Sequence, residues 1–488
     1  MRLDDDMKYF AEPEFKKLLA QYEAAHEEGM PLYMDAEDLT DIAEYYAMVA
    51  KDEASSNEAI DLALQLHPDA VDPQIFRARQ FMLKGDVEKA RELCDAIEDQ
   101  QHREVYFLRA ELLVCEEKGE EAFNMLVRLI DTIDEDRDYF IYDAAYIFVD
   151  YQMFNWAFDL AYKLEEMAPV WYKTWQLMAD VLLGMGQNVQ ALEYLEEMLD
   201  VDPFDVESWN WRAEAYSAIG TYDKAYESTE YALAIDPKNE RALQLKAWVM
   251  MQQGNCAAAH ELYVYLEKMN PECELHWLYD SYCMLDADKP QQALELIEHA
   301  IELAGGESSE QQMIYEQYAQ TLSRLGDVQG ALQQLENAEK LKENKEQWDE
   351  RMLAARVYAE NNDLKGMLIE AEKQMKAYPD WEEQIYYQTA VIAFDYAYYQ
   401  RAYSMFEELL QRNQGVIDEA LDWDIYGMMA YIDMDMGHQE AALKYLRKAI
   451  DAQEPHLSEL FAEKFPGVRA YELYDYYYNK VYGRWPNG

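Results

Sequence analysis

The stretch "ALAIDPKN", residues Ala232–Asn239, ends an apolar run with an Asp-Pro pair. Proline has no backbone N–H to donate and restricts the residue before it, so a helix that reaches this pair must stop. The same ending returns at a constant interval of 34 residues, at Pro169, Pro203, Pro237 and Pro271. A fixed interval of this length predicts a chain built from one repeated structural unit.

Three further sets of residues keep the same interval. They are an alanine set (Ala157, Ala191, Ala225, Ala259 and Ala293), a glycine set (Gly186, Gly220 and Gly254) and a set of large apolar residues (Trp175, Trp209, Leu243 and Trp277). Between these positions the apolar residues follow a helical spacing, as Trp209, Ala213 and Tyr216 do on one helix face. Each unit is therefore predicted to consist of two helices.

Each repeated residue has a physical role in such a helix pair. The glycine ends the first helix because it adopts a left-handed backbone at little steric cost, and the chain can then turn sharply. The alanine lets two helix backbones approach, so Ala225→Leu would overpack the contact by about 1 to 3 kcal/mol. The proline ends the second helix, and the large aromatic residue is expected to fill the space between neighbouring units.

This order of aromatic residue, small residue, glycine, alanine and proline resembles the tetratricopeptide repeat family, whose unit is a 34-residue helix-turn-helix. The resemblance is specific for four units between Tyr172 and Glu307. It weakens towards both ends of the chain, where degenerate units bring the total to about 12. The resemblance implies an all-α fold, an α-α superhelix or solenoid with terminal capping helices.

Departures from the interval of 34 residues predict how the chain is divided. The interval lengthens to 38 residues between Trp277 and Tyr315, at the loop-like stretch "LAGGESSEQ". We therefore predict an N-terminal capping helix segment (residues 1–35), a first repeat array (residues 36–310), a second repeat array (residues 311–455) and a C-terminal aromatic capping helix (residues 456–488).

The last segment carries tyrosines at helical spacing, namely Tyr471, Tyr474, Tyr478 and Tyr482. Two interpretations of this stripe stay open. It packs as a cap on the last repeat, because a terminal unit must cover an exposed core, or it is a docking face for another molecule. Self-association through an uncovered end of the array is a further hypothesis.

The charge of the chain excludes some classes of partner. The sequence has 42 Lys and Arg against 98 Asp and Glu, a formal net charge of -56, without a basic cluster that reverses it. Nucleic acid and anionic membranes are therefore not expected partners. No apolar run is long enough to span a bilayer, and the acidic start lacks the apolar core of a secretory signal. We predict a cytoplasmic protein with reduced thiols, unless a leader has been removed.

The sequence contains one group of residues of the types that bind metals. Cys256, His260, Cys273 and His276 form two short pairs of metal-ligand type. The pairs lie at opposite ends of a predicted helix, about 20 Å apart, which is too far for one ion. The sequence also lacks a phosphate-binding glycine loop and a nucleophile elbow. We predict a protein that is not an enzyme and binds no metal or other cofactor.

The resemblance implies that the first helix of each unit lines a concave groove. The family's inward-facing positions correspond here to a tentative peptide-binding set: Tyr142, Tyr146, Gln176, Asp180, Asn210, Glu214, Gln244, Trp248, Tyr282, Tyr387 and Tyr431. The same positions also include Tyr139, Lys173, Arg241 and Arg356.

One subclass of the family clamps the carboxylate end of heat-shock chaperones with lysines and asparagines at these positions. Only Asn210 matches that pattern here, because its companions are amides and acids, so we expect no such clamp. The predicted function is a non-enzymatic scaffold that binds a neutral-to-basic peptide or protein segment in the groove. The alternative is a chaperone-like or assembly helper subunit that holds basic client proteins with low specificity.

Overall fold

The computed structural model describes residues 9–28, 33–133, 136–305, 310–342, 348–412 and 423–486. Every regular element in these ranges is a helix, which confirms the predicted all-α class. None of the helices in the described ranges is both long and apolar enough to cross a membrane.

The repeated unit is a pair of helices, and the helices are numbered so that the first helix of each pair has an even label. A leading helix, α1 (Pro13–Glu28), precedes the pairs. In the first half of the chain the pairs are α2 (Ala36–Met48) with α3 (Glu53–Leu66), α4 (Val71–Leu83) with α5 (Val87–Ala96), α6 (Arg103–Cys115) with α7 (Gly119–Ile130), α8 (Arg137–Asp150) with α9 (Phe154–Met167), α10 (Tyr172–Gly184) with α11 (Asn188–Val201), and α12 (Val206–Ala218) with α13 (Tyr222–Ile235).

The second half continues the same alternation. Its pairs are α14 (Glu240–Gln252) with α15 (Cys256–Met269), α16 (Glu274–Asp286) with α17 (Pro290–Ala304), α18 (Gln311–Arg324) with α19 (Val328–Leu341), α20 (Leu353–Glu360) with α21 (Leu364–Ala377), α22 (Glu382–Asp395) with α23 (Tyr399–Arg412), and α24 (Ile425–Asp435) with α25 (Gln439–Asp451). A short helix, α26 (Leu457–Leu460), and a final helix, α27 (Leu473–Tyr482), follow the last pair. The ranges that the structure describes hold 12 pairs, which confirms the predicted number of about 12.

The chain divides into two compact units, Met1–Val249 and Met250–Gly488, and the two are described separately below. The division falls within α14, whereas the sequence places a boundary at residue 310. The boundary at residue 310 was predicted as a bend between two repeat arrays, and it stays a prediction.

The pair around the opening stretch forms for the reasons given by its sequence. Gly220 ends α12 with a φ of +73°, the left-handed conformation that favours glycine. Ala225 is fully buried, as are the other four members of the alanine set, so these positions leave no room for a larger side chain. Asp236 has an extended backbone, with φ of -123° and ψ of 96°, as the residue before Pro237 must.

The tryptophans of the repeat do more than fill space between units. The indole Nε1 of Trp209 donates a hydrogen bond of 2.9 Å to the carbonyl oxygen of Pro203, in the turn that precedes its own helix. Its ring stacks on Tyr231 in the second helix of its own pair, with centroids 4.5 Å apart. At Trp175, Trp209 and Trp277 the aromatic position therefore also joins the helix pair to the preceding turn, a role that the sequence analysis did not predict.

First helices pack closely on one another in both units. In the first unit α2, α4, α6, α8 and α10 form a run in which each helix contacts the next, and in the second unit α16, α18, α20 and α22 form another. Side-chain hydrogen bonds extend the first run: Tyr172 of α10 donates to Asp205, just before α12, and Arg241 of α14 donates to Glu214 of α12. Second helices of neighbouring pairs make no contact of that extent within the described ranges. Each of these runs of first helices therefore forms a continuous layer, which we call the first-helix layer of its unit.

The two ends of the chain are covered by aromatic side chains. At the N-terminus, Phe15 and Tyr22 of α1 are buried against Leu39 and Ile42 of α2, as the predicted capping helix requires. At the C-terminus, Leu473 and Tyr477 are buried against Phe461, Phe465 and neighbouring apolar residues. Tyr474 and Tyr478 of the predicted tyrosine stripe also pack, partly buried, against this cluster, whereas Tyr471 and Tyr482 are exposed.

Candidate functional site

The predicted groove residues fall into two groups. Eight lie in the first unit, on first helices α8, α10, α12 and α14: Tyr142, Tyr146, Gln176, Asp180, Asn210, Glu214, Gln244 and Trp248. The other three, Tyr282, Tyr387 and Tyr431, lie in the second unit on α16, α22 and α24. In the first unit, aromatic side chains of α8 and α10 are followed along the chain by charged side chains of α12 and α14.

Four aromatic side chains meet at the start of α8 and α10. Tyr142 packs edge-on against Tyr146, with ring centroids 4.9 Å apart, and both are buried. Trp171, just before α10, packs edge-on against Tyr139 at 4.8 Å. Tyr139 is 43% exposed, so the group has an accessible edge. We call Tyr139, Tyr142, Tyr146 and Trp171 the aromatic cluster.

A lysine already occupies one side of this aromatic cluster. The Nζ of Lys173 lies 4.8 Å from the ring centroid of Tyr142 and 5.5 Å from that of Tyr139, which is the geometry of a cation–π contact. The hydroxyl of Tyr142 donates a hydrogen bond of 3.0 Å to Oε1 of Gln176. The cluster is therefore joined to α10 and is chemically able to hold a cation.

Carboxylates follow on the next first helices. Arg241 of α14 donates two hydrogen bonds of 2.8 Å to the carboxylate of Glu214 and also pairs with Glu207, both on α12. Burial alone would lower the pKa of Arg241, but Glu214, Glu207 and Asp180 outweigh it and raise that pKa. The guanidinium thus contacts two carboxylates, and the charge of Asp180 acts on it in the same direction. We call Asp180, Glu207 and Glu214 the acidic row.

Asn210 is not available at the surface of this layer. Its side chain is fully buried, and its Nδ2 donates a hydrogen bond of 3.1 Å to Oδ1 of Asn239. The same Oδ1 of Asn239 accepts a bond of 2.9 Å from the backbone N–H of Ala242, in the first turn of α14. Asn210 therefore links α12 to the end of the opening stretch, and we leave it out of the contact set proposed below.

Trp248 and Gln244 lie further along α14 and are both partly buried. The Trp248 ring packs edge-on against Tyr222, with centroids 6.1 Å apart. These two residues lie three first helices beyond α8. A ligand that contacted both the aromatic cluster and Trp248 would therefore have to be extended.

The three predicted residues of the second unit have separate surroundings. Tyr282 has its pKa raised by burial and by the nearby carboxylate of Glu316. Tyr387 is buried and stacks on Trp423, with centroids 4.6 Å apart. Tyr431 lies between Phe394 and Phe461, with the Nζ of Lys464 at 4.0 Å from its ring.

Sequence reasoning missed three residues of the first-unit site. Trp171 lies outside the 34-residue pattern, because its counterparts Asp205 and Asn239 are not aromatic. Glu207 lies two turns before Glu214 on the same helix face, and that spacing could have suggested a shared cation. Asn239 is the last residue of the opening stretch, in the position where asparagine commonly caps a helix.

The two residue pairs of the motif that resembles a metal site lie at different ends of helix α15. Cys256 and His260 are in its first two turns, and Cys273 and His276 follow its last residue, Met269. His260 is held by Asp280, whose Oδ1 lies 2.6 Å from the histidine Nδ1. His276 is fully buried.

Comparison with known families agrees with the repeat pattern. Models of the tetratricopeptide repeat match residues 177–240 and residues 424–456. No match was found among curated proteins.

Solved structures of low identity resemble parts of the chain. Yeast Tom70 is 17% identical, with 82% of this chain and 95% of that chain covered and a TM-score of 0.42. A tetratricopeptide repeat protein from Parabacteroides merdae is 16% identical, with 55% and 99% covered and a TM-score of 0.43. Pseudomonas aeruginosa pilF is 19% identical, with 43% and 92% covered and a TM-score of 0.35. With TM-scores below 0.5, these likenesses carry no argument about this chain.

The family matches fall where the structure has regular helix pairs. Residues 177–240 lie within α10 to α14, the stretch with the strict 34-residue interval, and residues 424–456 enclose the last pair, α24 and α25. Repeats of this type generally serve as non-enzymatic scaffolds for protein–protein interaction. The 12 helix pairs of the described ranges, their glycine and proline turns and both family matches agree: the chain contains tetratricopeptide repeats.

Proposed function

We propose that the chain is a scaffold that binds a neutral-to-basic protein segment on the first-helix layer of its first unit. The observation that carries the proposal is the acidic row, in which Arg241 is shared by Glu207 and Glu214 while Asp180 lies close by. Three carboxylates around one guanidinium leave a net negative charge on this part of the layer. A basic segment would reduce that charge, whereas an acidic one would increase the repulsion.

The aromatic cluster supplies the second element of recognition. Tyr139 offers an exposed ring, and Lys173 shows that a cation is stable against this group of rings. A lysine or arginine of a bound segment would use the same kind of contact, which contributes about 0.5 to 1 kcal/mol at an exposed position. The aromatic cluster and the acidic row lie on neighbouring first helices, so an extended segment could contact both.

The proposal makes Lys173 a competitor of the ligand. The substitution Lys173→Gln removes the cation from the aromatic cluster and should increase the affinity for a basic segment about 3-fold or more. The matched control is Lys163→Gln on α9, which changes the net charge equally but removes a lysine that pairs with Asp131 on the second-helix side. A purely global charge effect would make the two variants equal.

Peptide binding by fluorescence anisotropy tests the proposal. The probes are two labelled peptides of about 12 residues, one alternating Lys with Leu and Ser, the other with Glu in place of each Lys. We expect binding of the basic peptide, tighter binding by Lys173→Gln alone, and weaker binding by Tyr139→Ser. Equal affinity for both peptides, or equal effects of the two lysine variants, would refute the proposed site.

Salt dependence separates the specific scaffold from a low-specificity helper that holds basic clients. Binding that depends mainly on charge weakens steeply with salt because ions screen the charges, whereas aromatic contacts persist. We expect affinity for the basic peptide to remain measurable at about 0.5 M NaCl. Complete loss at that concentration would favour the chaperone-like alternative.

A further inference from the structure

Two of the five cysteines of the chain meet between α15 and α16, both in the second unit. Cys256 is the first residue of α15, and Cys283 lies in the last turn of α16. The thiol of Cys283 donates a hydrogen bond to the sulfur of Cys256, and the thiol of Cys256 donates one to the carboxylate of Asp286. Both are free cysteines. We call Cys256 and Cys283 the thiol pair.

The two thiols differ in how easily a dissolved reagent reaches them. Cys256 is partly exposed, whereas Cys283 is 1% exposed. Burial raises the pKa of both thiols; the hydrogen bond from Cys283 opposes the rise at Cys256, whereas the same bond adds to the rise at Cys283. Because a thiol reacts as its thiolate, Cys256 should react first and Cys283 second.

The packing of the repeat does not require sulfur at these positions. Val249 and Ala215 stand at the positions equivalent to Cys283 in two other first helices, and both are fully buried. A small apolar side chain therefore fills this place equally well. Tyr222 and Asn188 begin two other second helices, at the positions equivalent to Cys256. Two sulfur atoms in contact are thus a property of this junction and not of the repeat.

We propose that the thiol pair is a modification site, which a hydroperoxide converts into a disulfide between Cys256 and Cys283. With hydrogen peroxide, the sulfur of Cys256 attacks one peroxide oxygen, the O–O bond breaks, and a sulfenic acid and one water are formed. The sulfur of Cys283 then attacks the sulfur of Cys256, the S–S bond forms, and the hydroxyl group leaves as a second water. The thiols lose two electrons and two protons, and the peroxide accepts them.

The new bond would join two neighbouring helix pairs. Helix α15 is the second helix of one pair and α16 is the first helix of the next, and the two already pack on each other. A disulfide restricts mainly the open states of the segment that it closes. Oxidation should therefore slow the local opening of this junction, and reduction should restore it.

Peptide mapping of the full chain after treatment with hydrogen peroxide tests the proposal. We expect a linked peptide that contains Cys256 and Cys283, about 2 Da lighter than the two separate peptides together, and its loss after reduction with dithiothreitol. Cys115 is the internal control, because it is also partly exposed but its sulfur contacts the hydroxyl of Tyr151, at 3.3 Å, and not a second thiol. It should form a sulfenic acid that dimedone traps.

Three results would overturn the proposal. The first is a sulfenic acid that persists at Cys256 while Cys283 stays a thiol. The second is a mixture of linked cysteine pairs without preference for Cys256 and Cys283. The third is an unmodified Cys256 at a peroxide dose that oxidises the same chain unfolded in urea.

Two variants separate the roles of the sulfur atoms. Cys283→Ala introduces the residue found at the equivalent position 215, so the fold should be kept, and Cys256 should then accumulate as a sulfenic acid trapped by dimedone. Cys256→Ser removes the accessible thiol, so Cys283 should stay unmodified. Circular dichroism checks that both variants remain folded.

Amide hydrogen exchange measures the effect on the junction. In the original chain, exchange in α15 and α16 should slow at least about 10-fold after oxidation, whereas peroxide should not slow it in Cys283→Ala. Equal exchange in the reduced and oxidised original chain would overturn the proposal that the bond restrains these two helices.

Discussion

The stretch from Pro169 to Trp277 and the stretch from Pro379 to Glu454 fix their helix pairs in different ways. In the first, one bond recurs with the repeat: the indole of Trp175, Trp209 and Trp277 donates to the carbonyl oxygen of the proline six residues earlier, at 2.9, 2.9 and 3.1 Å. Each bond is local in sequence. A repeated sequence therefore produces a repeated contact.

The second stretch depends on bonds that occur once. The carboxylate of Glu454 accepts hydrogen bonds of 2.7 Å from the backbone N–H groups of Tyr426 and Gly427, which belong to the first turn of α24. A side chain at position 427 would approach Glu454 Oε2 to within 2.9 Å, so this close contact requires glycine. In the last pair, a residue from beyond the second helix therefore supplies the contact that holds the start of the first helix.

Among the substitutions that test this comparison, removing the carboxylate of Glu454 should cause the largest loss of stability. Glu454 is 7% exposed, and Glu454→Ala leaves two buried N–H groups at the start of α24 without their acceptor. We expect a loss of about 2 to 4 kcal/mol in the free energy of unfolding of this region. Amide hydrogen exchange of α24 and α25 measures the loss, and the effect should not extend to distant pairs, because repeats contact only their neighbours.

The control for this substitution is Glu459→Ala, which removes an exposed carboxylate five residues further on. It should change the free energy of opening, measured by hydrogen exchange in α24, by less than about 0.5 kcal/mol. If both variants exchange like the original chain, the carboxylate does not stabilise α24, and the contrast between the two stretches is wrong.

The same carboxylate should make the last pair sensitive to pH. Burial raises the pKa of Glu454 from 4.5 to about 7; the N–H groups of Gly427 and Tyr426 oppose this rise, and Asp424 adds to it. Between these two values the folded chain binds a proton that the unfolded chain has released, so stability falls as pH rises from about 4.5 to about 7. Glu454→Gln does not titrate and should remove this slope, which we expect to be about 1 to 2 kcal/mol.

Urea unfolding at pH 5 and pH 7, with amide hydrogen exchange in α24 as the probe, measures how much the stability of each protein changes with pH. Glu454 should make the original chain more stable at pH 5 than at pH 7. Subtracting the pH change seen in Glu454→Gln gives the contribution of Glu454 alone. Equal pH slopes in the two proteins would mean that Glu454 has the same proton affinity folded and unfolded.

The sequence predicted the local features of the fold and missed the long-range ones. The proline, glycine and alanine sets act within one helix pair, so their interval was enough to predict 12 pairs. The Asn210–Asn239 bond and the sharing of Arg241 join different pairs through side chains that do not repeat. For the same reason the sequence left two interpretations of the tyrosine stripe on α27 open: Tyr474 and Tyr478 pack, partly buried, against the terminal core, whereas Tyr471 and Tyr482 are exposed.

Trp209→Phe should have the smallest effect, because it tests a bond that the chain makes several times. The substitution keeps an aromatic ring near Tyr231 but removes the indole N–H that binds the carbonyl oxygen of Pro203. This bond lies near the surface, so water can replace the donor, and we expect a loss of about 0.5 to 1 kcal/mol in the exchange of α12 and α13. Trp175→Phe should cost the same in its own pair, whereas Trp485→Phe, at an exposed ring outside the repeats, should cost nothing measurable. Unequal losses at Trp175 and Trp209 would show that the regular stretch repeats its geometry without repeating its energetics. Equal losses would make the indole–proline bond an additive element of each turn, as expected for an array whose stability is a sum over units and their neighbours.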